Sequence, residues 1–432
     1  MSGPHQDQNS KAEVPKNEPI VEYVIEDSSD EDESSNLKVG LLPAALEAIK
    51  PKSARNKLEN KPTICSLLIG DLSLNLKPQM YKGKMFGYTE GIGSLHQTKK
   101  LASKAVIFMV VSHNENWKIP IGIYFIHNPN IKHFADTIEE ALTALDAIGV
   151  EIISITLNCI SPHLNFALAE QLGAEIDPSK PIKYLKPYFI QTGTVNLIYI
   201  LYDLDSILLF LKRFWAVERV LSYNGQVLGF SFCSRVKTIE ETDFCVKKNQ
   251  TDWRIIKKRV TERLEYDIET IGKTLADAME YLKDENHPEF TECGPVIKFI
   301  RVLDVIAQIA RVNGSADGII PNISRSNEEV WKPLILNLIR YVKGLKHHTE
   351  DTPKHLSLFK IYTTGLIVYF TSLLKLYEKY VNYYDQRLPF LWPSKFALKH
   401  IALDIFTNKP DSALSVFKIV EAKSKKLIFS DF

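Results

Sequence analysis

Between residues 64 and 201 the spacing of apolar residues changes in a fixed order, and that order constrains the fold more than any other property of the chain. Ile64-Cys65-Ser66-Leu67-Leu68-Ile69 is strand-like and ends at Gly70-Asp71-Leu72-Ser73-Leu74. Lys84-Met85-Phe86-Gly87-Tyr88 follows a Lys82-Gly83 turn and reads as its hairpin partner. Ala105 to Val111 is a continuous apolar run, the pattern of a central strand buried on both faces. Ile119 to Ile126 reads as a fourth strand, with Pro120 near its start. The period then lengthens. Phe134, Ile138, Ala141, Leu142, Leu145 and Ile148 share one face of a helix that Gly149 ends. Val150 to Leu157 returns to a buried strand. Leu164, Leu168 and Leu172 mark a second helix stopped by Gly173, and Leu197 to Leu201 form a strand closed by Asp203. A meander followed by alternating helices and strands predicts a mixed sheet with helices on its faces, an α/β fold.

RNase H-like folds have this order. They place one catalytic Asp on the first strand and a second carboxylate at the end of the strand after the first helix, where the acids hold two metal ions. A more specific likeness follows from four pieces in sequence: Gly70-Asp71-Leu72-Ser73-Leu74, Phe86-Gly87-Tyr88, Phe108-Met109-Val110-Val111 and Trp117-Lys118-Ile119-Pro120-Ile121. Over roughly residues 60–215 the chain resembles P-element-type transposases, including their THAP-type relatives. The resemblance implies an RNase H-like core interrupted by a large helical insertion. It also places Asp71 on the family's first catalytic Asp. The second should stand in a Thr-x-Asp-Gly-like turn, but Thr156-Leu157-Asn158-Cys159 puts Asn158 there. The last carboxylate belongs to a Gln-Asp-His-Leu-Glu-like helix, whose counterpart Pro410 to Phe417 puts Leu414 at the Glu. A neutral amide does not supply the charge that holds a divalent ion. In the family an Asp-Pro-x-His turn leads into an inserted nucleotide-binding domain; here Asp203-Leu204-Asp205-Ser206 replaces it and no GxxxxGK[ST] cradle is present, so GTP is not expected to bind and no cofactor is expected. The THAP zinc finger has no counterpart, and the five widely spaced cysteines form no CxxC pair, so no metal site is expected either.

The N-terminal segment is built differently. Residues 1–37 hold ten acids and two bases in a chain whose net charge is +1, so the remainder is moderately basic. Residues 1–40 are expected to be a disordered acidic tail. Within it Ile20-Val21-Glu22-Tyr23-Val24-Ile25 is a β-prone run followed by Glu26-Asp27-Ser28-Ser29-Asp30-Glu31-Asp32-Glu33-Ser34. Such a run can add a strand to a partner's sheet edge while the acids meet a basic patch, the pattern of a SUMO-interacting motif. Ile20, Val21, Tyr23, Val24 and Ile25 are the contact residues on this reading, and Ser28, Ser29 and Ser34 are phosphorylation candidates among acids. The plainer reading is a solubilising leader with a chance apolar cluster.

Residues 41–215 are expected to form the first part of the RNase H-like core, 216–390 a mainly helical insertion, and 391–432 a return to the core. From Thr261, Leu264, Ile268, Ile271, Leu275, Met279 and Leu282 repeat near helical spacing, as a core stripe or a coiled-coil seam. Further helices are expected at 296–312, 329–344 and 356–384. Lys247-Lys248 and Lys257-Lys258-Arg259 read as phosphate contacts, an import signal or a solvated face. His347, Asp351 and His355 would share a helical face, but Gly344 and Pro353 place them in a loop.

These features predict a nuclear, catalytically inactive, transposase-derived adaptor in chromatin or transcriptional silencing. It would bind SUMO or a sumoylated nuclear protein and touch DNA, without a membrane role. Two alternatives stay open: an active metal-dependent nuclease or transposase using Asp71 with Asp203 or Asp205, and a protein-interaction scaffold that makes no nucleic-acid contact.

Overall fold

The computed structural model describes residues 39–74, 77–92, 100–113, 115, 117–158, 161–177, 184–238, 271–311, 325–347, 353–381, 412–425 and 428–429. Among these residues the centre is an eight-stranded mixed sheet. Its strands are β1 (Gly40–Leu41), β2 (Thr63–Ser73), β5 (Lys104–Ser112), β6 (Trp117–Ile126), β7 (Val150–Asn158), β8 (Tyr188–Ile190), β9 (Leu197–Tyr202) and β13 (Ile428–Phe429). The strands run in the order β1-β6-β5-β2-β7-β9-β8, with β13 also on β6. β2 is antiparallel to β5 and parallel to β7, so it sits in the middle of the sheet. All ten residues of β6 are buried, as are eight of nine in β5. Strands buried on both faces carry no polar alternation, which is why these stretches read as apolar runs.

The expected hairpin between the first strand and residues 84–88 is corrected. The short strands β3 (Gln79–Tyr81) and β4 (Lys84–Phe86) pair with each other, not with β2. The turn between them explains this: Lys82 and Gly83 both take positive φ, the conformation of a two-residue hairpin loop, and commit β4 to the three residues just before them. β2 instead runs through Asp71 to Ser73, pairing with β5 along its length.

Helix α1 (Pro43–Leu58) precedes β2 and begins with Pro at its first turn. It buries Ala45, Ile49, Ser53 and Asn56. Ser53 Oγ donates to the Gly149 carbonyl (2.9 Å) and Asn56 Nδ2 to Thr63 Oγ1 (3.1 Å). Helix α2 (Ile131–Ala147) is capped by Asn130, whose side chain accepts from the Lys132 and His133 amides. It ends as expected, with Gly149 at φ +78°. Helix α3 (Pro162–Gln171) is capped by Ser161, and α4 (Leu204–Glu218) by Asp203.

Beyond α4 the chain forms β10 (Val220–Tyr223), β11 (Gln226–Gly229) and α5 (Ser231–Thr238), then α6 (Lys273–Asp284), α7 (Gly294–Arg311), α8 (Glu328–Gly344), β12 (Leu345–His347) and α9 (Pro353–Leu376), with a π turn at Tyr377–Val381. Leu275, Met279 and Leu282 are buried in α6 as core residues. Leu264, Ile268, Lys247, Lys248, Lys257, Lys258 and Arg259 lie outside the described residues. β10, β11 and β12 form a small antiparallel sheet, so residues 345–347 are a strand rather than the expected loop. His347 is buried there and lies 3.6 Å from the Glu218 carboxylate, while His348 and Asp351 lie outside the described residues. Helix α9 returns to the main sheet, where Ser372 Oγ donates to the Ile200 carbonyl (2.7 Å). Helix α10 (Ala413–Ser424) packs near β6 and the β3–β4 hairpin, with Phe417 against Phe86 at 4.9 Å between ring centres. No helix among the described residues is long and apolar enough to cross a membrane.

Candidate functional site

The carboxyl ends of three neighbouring strands, β2, β7 and β9, meet at one place. The parallel register sets Gly70 of β2 beside Asn158 of β7, and β7 sets Leu157 beside Tyr202 of β9. Asp71, Asn158 and Asp203 therefore arrive together at the end of the sheet. All three line a cavity of about 140 Å³ that also involves Ser206, Tyr202 and Asn165. Its walls carry two stacked ring pairs, Phe166 on Tyr202 (4.7 Å) and Phe210 on Tyr362 (5.6 Å). The Tyr202 hydroxyl is buried with no hydrogen-bond partner among the described residues, and burial pushes its pKa upward.

Both carboxylates here already serve groups of the chain itself. Asp71 forms an ion pair with Lys104 of the adjacent strand β5. Asp203 caps α4 by accepting from the Ser206 amide (3.1 Å) and also accepts from the Ser206 hydroxyl. Ser206 Oγ in turn lies 3.2 Å from Asn158 Oδ1. The arrangement therefore has two carboxylates, one neutralised by a lysine and one serving as a helix cap, with an amide between them. The two-ion centre of an RNase H-like fold needs a converging set of carboxylates. The residues present do not fit that group: among the described residues no cluster of three His, Cys, Asp or Glu side chains could hold a metal.

Leu414 is the second residue of α10, after the Ser412 cap, and is half-buried. It does not line the cavity. Ile20, Val21, Tyr23, Val24, Ile25, Ser28, Ser29 and Ser34 lie outside the described residues. Three participants escaped the sequence reading: Lys104, Ser206 and Tyr202. Lys104 reaches Asp71 only because Asp71 pairs with Val106, which places Lys104 diagonally across on the same face of the sheet. Ser206 carries a local signal, since Asp203-x-x-Ser206 is a helix-start pattern, but nothing local ties it to Asn158.

A second, larger cavity of about 570 Å³ lies among β10, α6, α7 and α8. Lys283, Lys298, Arg301 and Arg340 line it, with Tyr223 stacked on Tyr341 (4.1 Å) at its wall. Arg301 pairs with Asp277 and Glu280. Lys283, Lys298 and Arg340 have no carboxylate partner among the described residues; Arg340 donates to Asn337 (2.6 Å) and Lys298 sits 6.0 Å from the Tyr223 ring centre.

Comparison with known proteins accords with both regions. Residues 37–173 match the model of the TNP-like RNase H N-terminal domain, and residues 208–315 match the TNP-like GTP-binding insertion domain. The human DNA transposase THAP9 is 22% identical over 352 residues, which is 78% of this chain but 37% of that protein. The Drosophila P element transposase in a strand transfer complex superposes with a TM-score of 0.62 at 13% identity, covering 90% of this chain and 81% of that one.

Proposed function

We propose that this chain, which is a P-element-type transposase-like protein with an RNase H-like fold, works as a catalytically inactive, transposase-derived adaptor of the nucleus that contacts DNA or chromatin. The observation that carries the reading is the state of the carboxylate site. Asn158 stands at the end of β7 between Asp71 and Asp203, and both acids already serve the chain's own groups. A site so arranged retains the surface of a nucleic-acid-processing fold without the charge needed to polarise a phosphate. Incubating the full chain with branched and linear duplexes in Mg²⁺ or Mn²⁺ tests this directly: no cutting or strand transfer is expected, and cutting abolished by Asp71→Ala would refute it. DNA contact is tested by measuring duplex affinity against salt, where phosphate contacts give a steep negative slope and a scaffold without them gives none.

One observation favours a second reading. Asp71 and Asp203 line the same cavity, so a surviving metal-dependent nuclease would use this pair. It predicts that Asp203→Asn removes a cleavage activity that the intact chain possesses. The tail completes the adaptor reading through Val24 and Ile25. A peptide of residues 1–45 should bind SUMO and lose binding on Val24→Ala/Ile25→Ala. Against the expectation of no cofactor, residues 208–315 match a GTP-binding insertion domain, and we take the cavity with Lys283, Lys298 and Arg340, which fits a polyphosphate in size and charge, as the place where GTP would be held.

A further inference from the structure

We propose that the Lys104 ammonium is the resident cation of the carboxylate site: it supplies, from within the chain, the positive charge that a divalent ion supplies in a metal-dependent centre, and so keeps the site closed to such ions. The proposal rests on the non-catalytic reading above, but on different observations and a different test. Lys104 is held by its backbone between β2 and β6, pairing with Ser73 on one side and Ile126 on the other. Its side chain is therefore launched from the interior of the sheet, across one strand spacing, onto the Asp71 carboxylate. The side chains of this pair are 28% and 17% exposed, so it is shielded more than a surface ion pair.

The neighbours complete the argument. A hard divalent ion selects its site by the number and charge of its oxygen ligands, and loses affinity as that charge falls. Here Asn158 contributes no charge, and its oxygen lies 3.2 Å from the Ser206 hydroxyl, whose one proton is directed at Asp203. Asp203 is turned to the start of α4. Lys104 cancels the charge of Asp71, so a single net negative charge remains among the four groups. That is too little to draw a dication in against an ammonium of the same sign. The lysine and the amide thus form two independent barriers: removing one admits an ion weakly, and tight binding requires that both fall.

The test is isothermal titration of the EDTA-treated full chain with MnCl₂, alongside its thermal transition in the same buffers. The intact chain is expected to show no Asp71-dependent heat. Asn158→Asp alone should bind weakly. Asn158→Asp combined with Lys104→Met, which keeps most of the stem volume, should bind at least about tenfold tighter and show a Mn²⁺-dependent rise in melting temperature. If the double variant fails to fold without metal, adding Mn²⁺ during refolding gives the same readout. Manganese heat in the intact chain that disappears in Asp71→Asn would overturn the proposal, as would equal affinity in the single and double variants. Neither depends on whether DNA is cut or bound, so this proposal and the adaptor reading fail separately.

Discussion

Lowering the pH from 7 to 5 should weaken the fold through one buried side chain, His113. Its ring follows β5 and is 2% exposed. Its Nε2 meets Ser66 Oγ, and Ser66 Oγ also meets Ser154 Oγ, so the three side chains bridge β5, β2 and β7 inside the sheet. Burial holds the imidazole's pKa down at about 4, against 6.5 for the unfolded chain. Between those values the unfolded chain binds a proton that the folded chain refuses, so stability is full above pH 6.5 and is lost as pH falls towards 4. At about 1.4 kcal/mol per pH unit of difference, the loss is roughly 2 kcal/mol at pH 5 and about 3 kcal/mol at pH 4. The assay is urea unfolding at pH 7, 6 and 5 of the intact chain and of His113→Gln, which keeps a polar group beside Ser66 but does not titrate. Other groups contribute equally to both, so the difference isolates His113. The variant should be less stable at pH 7 and should converge on the intact chain by pH 5. Parallel loss in the two proteins would refute the argument.

Three further outcomes are expected. Trp215→Phe should cost about 2 kcal/mol or more, because it leaves the buried Leu228 carbonyl without its 2.8 Å donor and loosens edge contacts to Phe230 and Phe299; an unchanged urea midpoint would contradict it. Gly344→Ala should cost roughly 1–3 kcal/mol, since its added carbon would fall 2.6 Å from the Tyr223 ring and force that ring off Tyr341, which near-ultraviolet circular dichroism would report. GTP at about a hundred times its dissociation constant should stabilise the chain by about 2.7 kcal/mol, and Lys298→Ala/Arg340→Ala should abolish that shift; an identical shift in the variant would move nucleotide binding elsewhere.

Strands and helices whose burial is complete on one face or both were legible in the sequence. Val150–Asn158 and the α2 face of Phe134, Ile138 and Leu145 announce themselves by apolar spacing alone. Helix α1 was not legible, because half of its buried positions are Ser53 and Asn56 and it carries Pro51 in its interior. Their burial makes sense only once the Gly149 carbonyl and the Thr63 hydroxyl are seen to receive them. β8 is three residues long and β12 follows a helix directly, so neither carries enough alternation to be read. At the candidate site, the family resemblance could place Asp71 and Asn158 on the ends of neighbouring strands. Asp203 was considered only as an alternative, since its meeting with Asp71 depends on β9 lying beside β7. Lys104 depends on the register of two strands, a property that no local pattern encodes.

The path of the chain out of the main sheet and back has a consequence for how such a protein can change over generations. It leaves along α4 and returns along α9, and the two stems are clasped side by side by Phe210 on Tyr362 and Phe214 on Phe359. At their far ends His347 faces Glu218, and β12 pairs with β10. Departure and return thus lie next to each other, and the described elements between them begin and end at a closed base. Length can be gained or shed beyond that base without altering the distance the sheet must span. A lineage is free to enlarge, shrink or repurpose the outer portion while the inner one keeps its register.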